Sequence, residues 1–360
     1  MITHRLIRAV QIAALLVPCT ARAQVTDSLS GGILRFMGYV DAYHAYDFGH
    51  SQDDNRPPFL YQYNRHNETD LNLGLLHLTF EKPRVRSAFG LMAGTYPQAN
   101  LISEPELLRN INEARVGIKL SRNRAIWIDA GVFTSHIGME SAIGIDNWTL
   151  TRSIVAENSP YYLSGARLIW TISKKIEIAV LHVNGWQRIR RIQNNTPCFG
   201  TQLLWTPNNR VKLNWSTFAG SDTPDSLGFY RVFNNLWFSW EKGAWGIQLS
   251  LDAGLQQAEG DSWNEWAGAV CIMKRRFGER FAPSGRIEYY TDPSQVMVPT
   301  GTPHGLTAFG YSLGLDLLVA PDAWVRLEGR TFHGVDALFE SIHGTTQDNT
   351  AITACMAVRF

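Results

Sequence analysis

Sixteen stretches of alternating apolar and polar residues, joined by connections that are by turns tight and long, constrain the fold of this 360-residue chain more than any other feature. The clearest stretch runs Trp245, Ile247, Leu249, Leu251, Ala253, Leu255 on one parity, against Gly246, Gln248, Ser250, Asp252, Gly254, Gln256 on the other. Ala114, Val116, Ile118 and Leu120 alternate in the same way with Arg115, Gly117 and Lys119, and Thr307 to Leu317 repeats the rhythm. A period of two is the signature of a strand with one apolar face. Strands are predicted near 33–47, 69–82, 85–97, 112–121, 124–134, 162–173, 176–185, 198–206, 210–219, 231–241, 244–256, 264–276, 281–291, 306–319, 323–334 and 350–360. Tight turns fall at Pro83-Arg84, Arg122-Asn123, Ser173-Lys175, Pro207-Asn209, Lys242-Gly243, Phe277-Arg280 and Pro321-Asp322. Longer loops occupy 48–68, 98–111, 135–161, 186–197, 220–230, 257–263, 292–305 and 335–349.

Alternation alone also suits a soluble sandwich; strictly alternating connection lengths do not. Short turns on one rim and long loops on the other describe a transmembrane antiparallel β-barrel of about sixteen strands, with both termini on the short-turn, periplasmic side. After the first 23 residues no run of ~18 apolar residues occurs, so no helical span competes. The chain nevertheless carries 12 Trp, 12 Tyr and 17 Phe at a mean hydropathy of −0.15, as an all-β wall with a wet interior requires. The parity shifts at Leu75-Leu76, as at a bulge, and again near Leu181-His182.

The N-terminus reads as export machinery. His4, Arg5 and Arg8 precede an apolar run from Ala9 to Val17, and Ala21-Arg22-Ala23 is a small-x-small cleavage site, so residues 1–23 read as a signal peptide cut after Ala23. A lipoprotein acylated at Cys19 is the competing reading, disfavoured by Pro18. Residues 24–32 read as a short flexible lead-in to one barrel domain over 33–360. Without residues 1–23 the chain has 30 basic and 32 acidic residues, a net charge of −2, which excludes nucleic acid as a partner. Cys198, Cys271 and Cys355 are widely spaced and odd in number, and imply neither a disulfide framework nor a zinc site. At the other end Ile352, Ala354, Met356, Val358 and Phe360 form one apolar face, and a last strand ending on an aromatic resembles the signal read by the outer-membrane assembly machinery.

A barrel of sixteen strands encloses water, and its inward side chains set what passes. Parity places Arg35, Asp41, Arg86, Arg115, Lys119, Asp129, Arg167, Asp252, Arg286, Glu288, Asp316, Arg326, Glu328 and Arg330 inward. Eight basic against six acidic groups predict weak selectivity, and paired, solvated charges are the plainer reading beside a substrate track. The longest loop, 135–161, is too apolar at Ile143, Ile145, Trp148, Leu150, Ile154 and Val155 to extend into solvent. It is expected to fold against the inner wall with a helical turn over 148–157, and its Glu140, Asp146, Arg152 and Glu157 would then shape the pore's field.

Several segments resemble the outer-membrane β-barrel porins common in Bacteroidetes and often called OmpL-like. They are Gly38-Tyr39-Val40-Asp41-Ala42-Tyr43 with Tyr46-Asp47-Phe48, Asn64-Arg65-His66-Asn67-Glu68 with Asn72, Gly94-Thr95-Tyr96-Pro97-Gln98-Ala99-Asn100 with Glu104-Pro105, the 135–162 loop, and Asn184-Gly185-Trp186-Gln187. They span most of 36–190; the second half matches by strand rhythm. The loop at 135–161 looks similar to the one that narrows the channel in general porins. The resemblance implies a porin in a Gram-negative outer membrane and brings no catalytic residues with it.

The expectation is therefore a passive channel for small hydrophilic solutes, not an enzyme, with no cofactor and no metal, surrounded by outer-membrane lipid. Homo-oligomers are common among such channels, but no interface signal is visible. Two rivals stand beside it: a structural or adhesive barrel closed by its loops, and an outer-membrane hydrolase built on Ser135, His136 and Glu140. Ser135 and His136 are adjacent and would point apart on an extended segment, and no GxSxG or HExxH is present. His44, His50, Asp53 and Asp54 are metal-ligand types, but loop carboxylates are usually just solvated.

Overall fold

In the computed structural model, residues 24–27, 31–51 and 53–360 are described; the expected signal peptide lies outside them. The chain runs through β1 (Gly32–Asp47), β2 (Thr69–Glu81), β3 (Val85–Ala93), β4 (Ile111–Lys119), β5 (Ala125–Thr134), β6 (Tyr162–Ser173), β7 (Ile176–Val183) and β8 (Cys198–Asn208). It continues through β9 (Val211–Gly220), β10 (Arg231–Lys242), β11 (Trp245–Gln257), β12 (Trp263–Arg275), β13 (Phe281–Asp292), β14 (Leu306–Ala320), β15 (Ala323–Gly334) and β16 (Asp348–Arg359). Each strand pairs antiparallel with the next, and β16 returns to β1 from Ala351↔Asp47 to Arg359↔Tyr39, closing a sixteen-stranded barrel. Closure pairs the first and last strands of the sheet, the condition for crossing lipid with strands. The pairing of β16 reaches only Tyr39, and Gln24–Asp27, within the expected lead-in, pair with Gly32–Arg35 of β1 beyond that point.

The outer surface is apolar. Val116, Leu251, Ile287, Leu313 and Met356 are each more than half exposed, a distribution that water would penalise and hydrocarbon does not. Trp245, Phe277 and Phe281 lie on this surface near the short turns; Phe199, Trp263 and Phe309 lie near the long loops. Such rings suit the two lipid–water boundaries.

Three local expectations are corrected. First, β3 ends at Ala93 rather than running to residue 97, and a helix, α1 (Thr95–Asn100), follows. Gly94 sits at φ +130°, where a Cβ would strike the Asn72 carbonyl, so the strand breaks there. Second, the helical turn expected over 148–157 is confined to α2 (Ile154–Glu157), which Ser153 caps by accepting from the Ala156 N–H at 3.3 Å; a separate 3-10 turn covers Gly144–Asp146. Third, the bulge on β2 falls at Asn72, and β7 runs in register past Leu181-His182. There the parity holds: Ala179, Leu181 and Val183 all point inward, onto an apolar interior.

That interior comes from the loops. Loop one (48–68) contributes Phe59, Leu60 and Tyr63, and loop three (135–161) contributes Ile137, Trp148, Leu150, Ile154 and Val155. They are buried in two clusters with inward side chains of the wall, among them Phe218, Phe233, Trp266, Tyr290 and Phe332 in one and Tyr39, Tyr43 and Leu75 in the other.

Candidate functional site: the loop-filled lumen

Loop three leaves the wall between β5 and β6 and docks on β13 and β15, about half the ring away. Its backbone is received by wall charges. Glu328 accepts the Thr151 N–H at 2.6 Å and Glu288 accepts the Ile154 N–H at 2.7 Å. Arg286 donates to the Thr151 carbonyl at 2.6 Å and to the Thr149 hydroxyl at 3.0 Å. Arg326 donates to the carbonyls of Gly144 and Asn147 while paired with Asp316 at 2.6 Å. Arg326 stands only four residues past the periplasmic turn at Asp322, so the loop tip reaches deep into the barrel.

The docking charges balance one another. Arg286 contacts Glu328 at 2.7 Å and Glu288 at 3.2 Å, and Arg330 contacts Glu288 at 2.7 Å. Two cations and two anions, all within 4% of fully buried, leave no net charge under the loop. Burial of this kind is tolerable only with such pairing.

Eleven of the fourteen inward charges named from parity fall into two groups. Asp252, Arg286, Glu288, Asp316, Arg326, Glu328 and Arg330 lie beneath loops or in contact with them, each at most 8% exposed. Asp252 accepts from Asn235 at 2.6 Å. Across the lumen, Arg86, Arg115 and Arg167 keep 17–24% of their side chains open, gathered on the fully buried Asp129. Lys119, farther along β4, is also half-buried, Arg35 is exposed and paired with Glu81 at 3.2 Å, and Asp41 is fully buried.

The four charged loop residues are fasteners as well. Glu140 accepts the Ser153 N–H at 3.1 Å. Glu157 accepts the N–H groups of Tyr61 and Gln62 at 3.2 and 3.3 Å, binding loop one to loop three. Arg152 is buried over the Tyr161 ring and lies 4.0 Å from Glu157. Asp146, at the loop tip, meets Arg359 at 2.5 Å.

The family-like segments hold the remaining loops. Asp41 accepts from Tyr39 and Tyr63 hydroxyls at 3.0 and 2.8 Å, from Asn72, and from the Leu73 N–H at 2.7 Å. Glu104 accepts from the Tyr162 hydroxyl at 3.1 Å and from the Ile189 N–H at 2.7 Å. Gln187 accepts the Tyr161 N–H at 2.8 Å and donates to Asn100. Glu104, Gln187 and Asn72 are not among the site residues singled out from the sequence; their signal is a polar residue at a strand-to-loop boundary within a family-like motif, a place suited to steadying the mouth.

Ser135, His136 and Glu140 do not form a relay. Ser135 Oγ accepts the Ile137 N–H at 3.1 Å, His136 Nε2 donates to the Thr217 carbonyl at 2.9 Å, and Glu140 holds Ser153. At the mouth, Asp53 is held down at about 2 by hydrogen bonds from Ser51 and Asn55. No group of three or more metal-ligating side chains occurs among the described residues.

Cavities border the loops among the described residues. One of about 230 Å³ lies toward the periplasm between β3 and β8, lined by Arg86, Arg115, Trp127, Arg167 and His136. A second, of about 300 Å³, lies between loop three and the extracellular half of β3–β5. The third, of about 660 Å³, opens at the mouth around Arg56, Phe59, Val298 and Phe339.

Known proteins place this architecture. The family described as "Putative beta-barrel porin-2, OmpL-like" matches residues 33–360. The anion-selective porin from Comamonas acidovorans is similar in structure at a TM-score of 0.61 and 10% identity, covering 91% of this chain and 100% of its own. OmpF of Salmonella typhi, solved with daunomycin, aligns at 0.59 and 10% identity over 92% and 98% of the two chains. In-vitro folded OmpT, an outer membrane protein of Vibrio cholerae, aligns at 0.58 and 8% identity over 91% and 98%. At such identities the likeness is one of fold. No curated protein matches the sequence.

Proposed function

The chain belongs to the OmpL-like β-barrel porin-2 family and is a porin-like channel of the Gram-negative outer membrane; from that premise we propose that it passes small hydrophilic solutes by passive diffusion, without catalysis. The observation that carries this reading is the placement of loop three. It covers the β9–β16 side, where wall charges pair with one another, and leaves cavities lined by charged side chains beside β3–β8, so the proposed route follows one flank of the lumen. Such a route is narrow and filters by size and charge.

Single-channel recording in planar bilayers, with solutes of graded size, tests this. Deleting 140–156 is expected to raise conductance several-fold; stable steps of unchanged size in the deletion would sink the assignment of the loop as constriction. A barrel sealed by its loops is the second reading, favoured by the seven buried wall charges, and a folded protein that never conducts would establish it.

Export and assembly complete the proposal: cleavage after Ala23, recognition of the last strand by the assembly machinery, and association of barrels into a homo-oligomer. For the last strand the support is geometric. Phe360 closes the ring by exchanging backbone hydrogen bonds with Gly38 at 2.7 and 2.9 Å, and its ring faces outward. Removing Phe360 is expected to slow insertion into the outer membrane, read as accumulation of unfolded protein in the periplasm.

A further inference from the structure

Arg86, Arg115 and Arg167 converge from three strands on one carboxylate. Arg86 forks onto Asp129 with two bonds of 2.8 Å, Arg167 donates to it at 3.1 Å, and Arg115 Nη1 stands 3.6 Å away. Asp129 has no exposed surface, so it orders the three cations from behind and is itself out of reach of a solute in the lumen. Glu113 is likewise occupied, between Arg115 at 2.5 Å and His77 at 2.8 Å. The remaining carboxylate of this cavity, Glu177, is engaged by the Thr171 hydroxyl at 2.7 Å.

The guanidinium groups are stiff as well as crowded. Arg86 lies over the Trp127 ring at 4.4 Å and Arg167 over Phe133 at 4.5 Å. Arg86 spends Nε and Nη2 and Arg167 spends Nε on Asp129, so among the described residues Arg86 Nη1 and both terminal nitrogens of Arg167 keep N–H groups that no side chain takes. Fixed donors with unspent N–H groups bind a planar or tetrahedral oxyanion without further loss of side-chain freedom.

We propose that this arginine cage is a binding station for small oxyanions, phosphate or carboxylate in class, and that it makes the channel anion-preferring. The parity count of wall charges predicts weak selectivity, but it weighs all of them equally. Those beneath loop three pair with one another. On the open flank the three arginines are matched in number by Asp129, Glu113 and Glu177. The arginine side chains, however, reach the lumen at 17–24% exposure against 0% for Asp129 and 9% for Glu113, and Lys119 adds a further cation.

The inference rests on the channel reading, so its test separates the two. In a potassium chloride gradient, single channels are expected to reverse at a potential favouring chloride, and added inorganic phosphate to reduce the chloride current. Arg115→Gln and Arg167→Gln are expected to move the reversal potential toward zero and to abolish the phosphate effect. Arg115→Lys, which keeps the charge, retains the preference and weakens the phosphate effect. Conducting channels without anion preference, or variants blocked by phosphate as strongly as the wild type, overturn the station and leave the channel standing. A folded protein that does not conduct overturns the channel. In that case broadening of the phosphorus-31 resonance by detergent-solubilised protein decides the site: loss in Arg115→Gln supports it, and no broadening in the wild type refutes it.

Discussion

Arg286 donates to the carbonyl of Thr151 at 2.6 Å and to its hydroxyl at 2.9 Å, so a strand on one side of the barrel fixes a loop that departs from the other. The relationship explains how an irregular segment survives inside a membrane protein. Away from water every backbone N–H and C=O needs a partner, and here wall charges supply partners that a strand ladder cannot.

The balance of that cluster makes single changes severe. Glu328→Gln retains an acceptor for Thr151 but leaves Arg286 and Arg330 facing Glu288 alone. Breaking one partner out of a buried set costs about 3–5 kcal/mol. We expect noisy channels of raised conductance in the single variant, and quieter ones in Arg286→Met with Glu328→Leu, which restores neutrality. A double variant as noisy as the single would show that charge balance is not what holds the loop.

Backbone conformation sets a second vulnerability. Gly131 and Gly165 are direct partners across β5 and β6, at φ +127° and +155°. A Cβ at Gly131 would meet the carbonyl of Ala114 on β4. Gly131→Ala is expected to destabilise the barrel by roughly 1–3 kcal/mol, the usual cost of a forced backbone conformation. Urea titration of refolded protein in detergent measures it, with Gly329→Ala, which has open space, as the control. Equal midpoints for the two variants would refute the argument.

The wall was legible because the lipid face and the connections obey simple periodic rules. Every expected strand is present, and the apolar parity of Leu249, Leu251 and Leu255 is the outward one. The filling of the lumen was not legible from charges, since parity shows that Arg286 or Glu328 points inward but not what covers it. A signal did exist. Phe218, Phe233, Trp266, Tyr290 and Phe332 sit on the inward parity near the extracellular ends of their strands, where a water-filled lumen would carry polar groups. Aromatic rings in that place announce loops folded inward. The apparent parity change near Leu181-His182 is the same signal.

Asp41 links the family-like segments to the loops. Replacing it with Ala leaves the hydroxyls of Tyr39 and Tyr63, the Asn72 amide and the Leu73 N–H without their acceptor. Each unsatisfied buried group costs about 1–3 kcal/mol. The barrel itself closes through backbone pairing and is expected to persist, while loop one loosens. Protease added to intact cells should then cut within 48–68 in Asp41→Ala and spare the wild type. Equal resistance of both would mean that loop one is held by other contacts.

Two glycines allow the loop to be displaced without touching charge. Trp148 lies over Gly246 of β11 and Val155 over Gly268 of β12, and at either glycine a Cβ would overlap the loop side chain above it. Both are inward positions of regular strand, at backbone angles that any residue adopts. Gly246→Val and Gly268→Val should therefore preserve strand pairing and push loop three off the wall. Because the buried ion pairs remain intact in these variants, an effect here isolates packing from electrostatics. The expected outcome is unchanged resistance of the barrel to SDS at room temperature, red-shifted Trp emission and larger conductance steps, greatest when the two are combined. Wild-type conductance in the double variant would mean that the loop is held by its hydrogen bonds alone, and that the fit between Trp148 and Gly246 contributes nothing to the constriction.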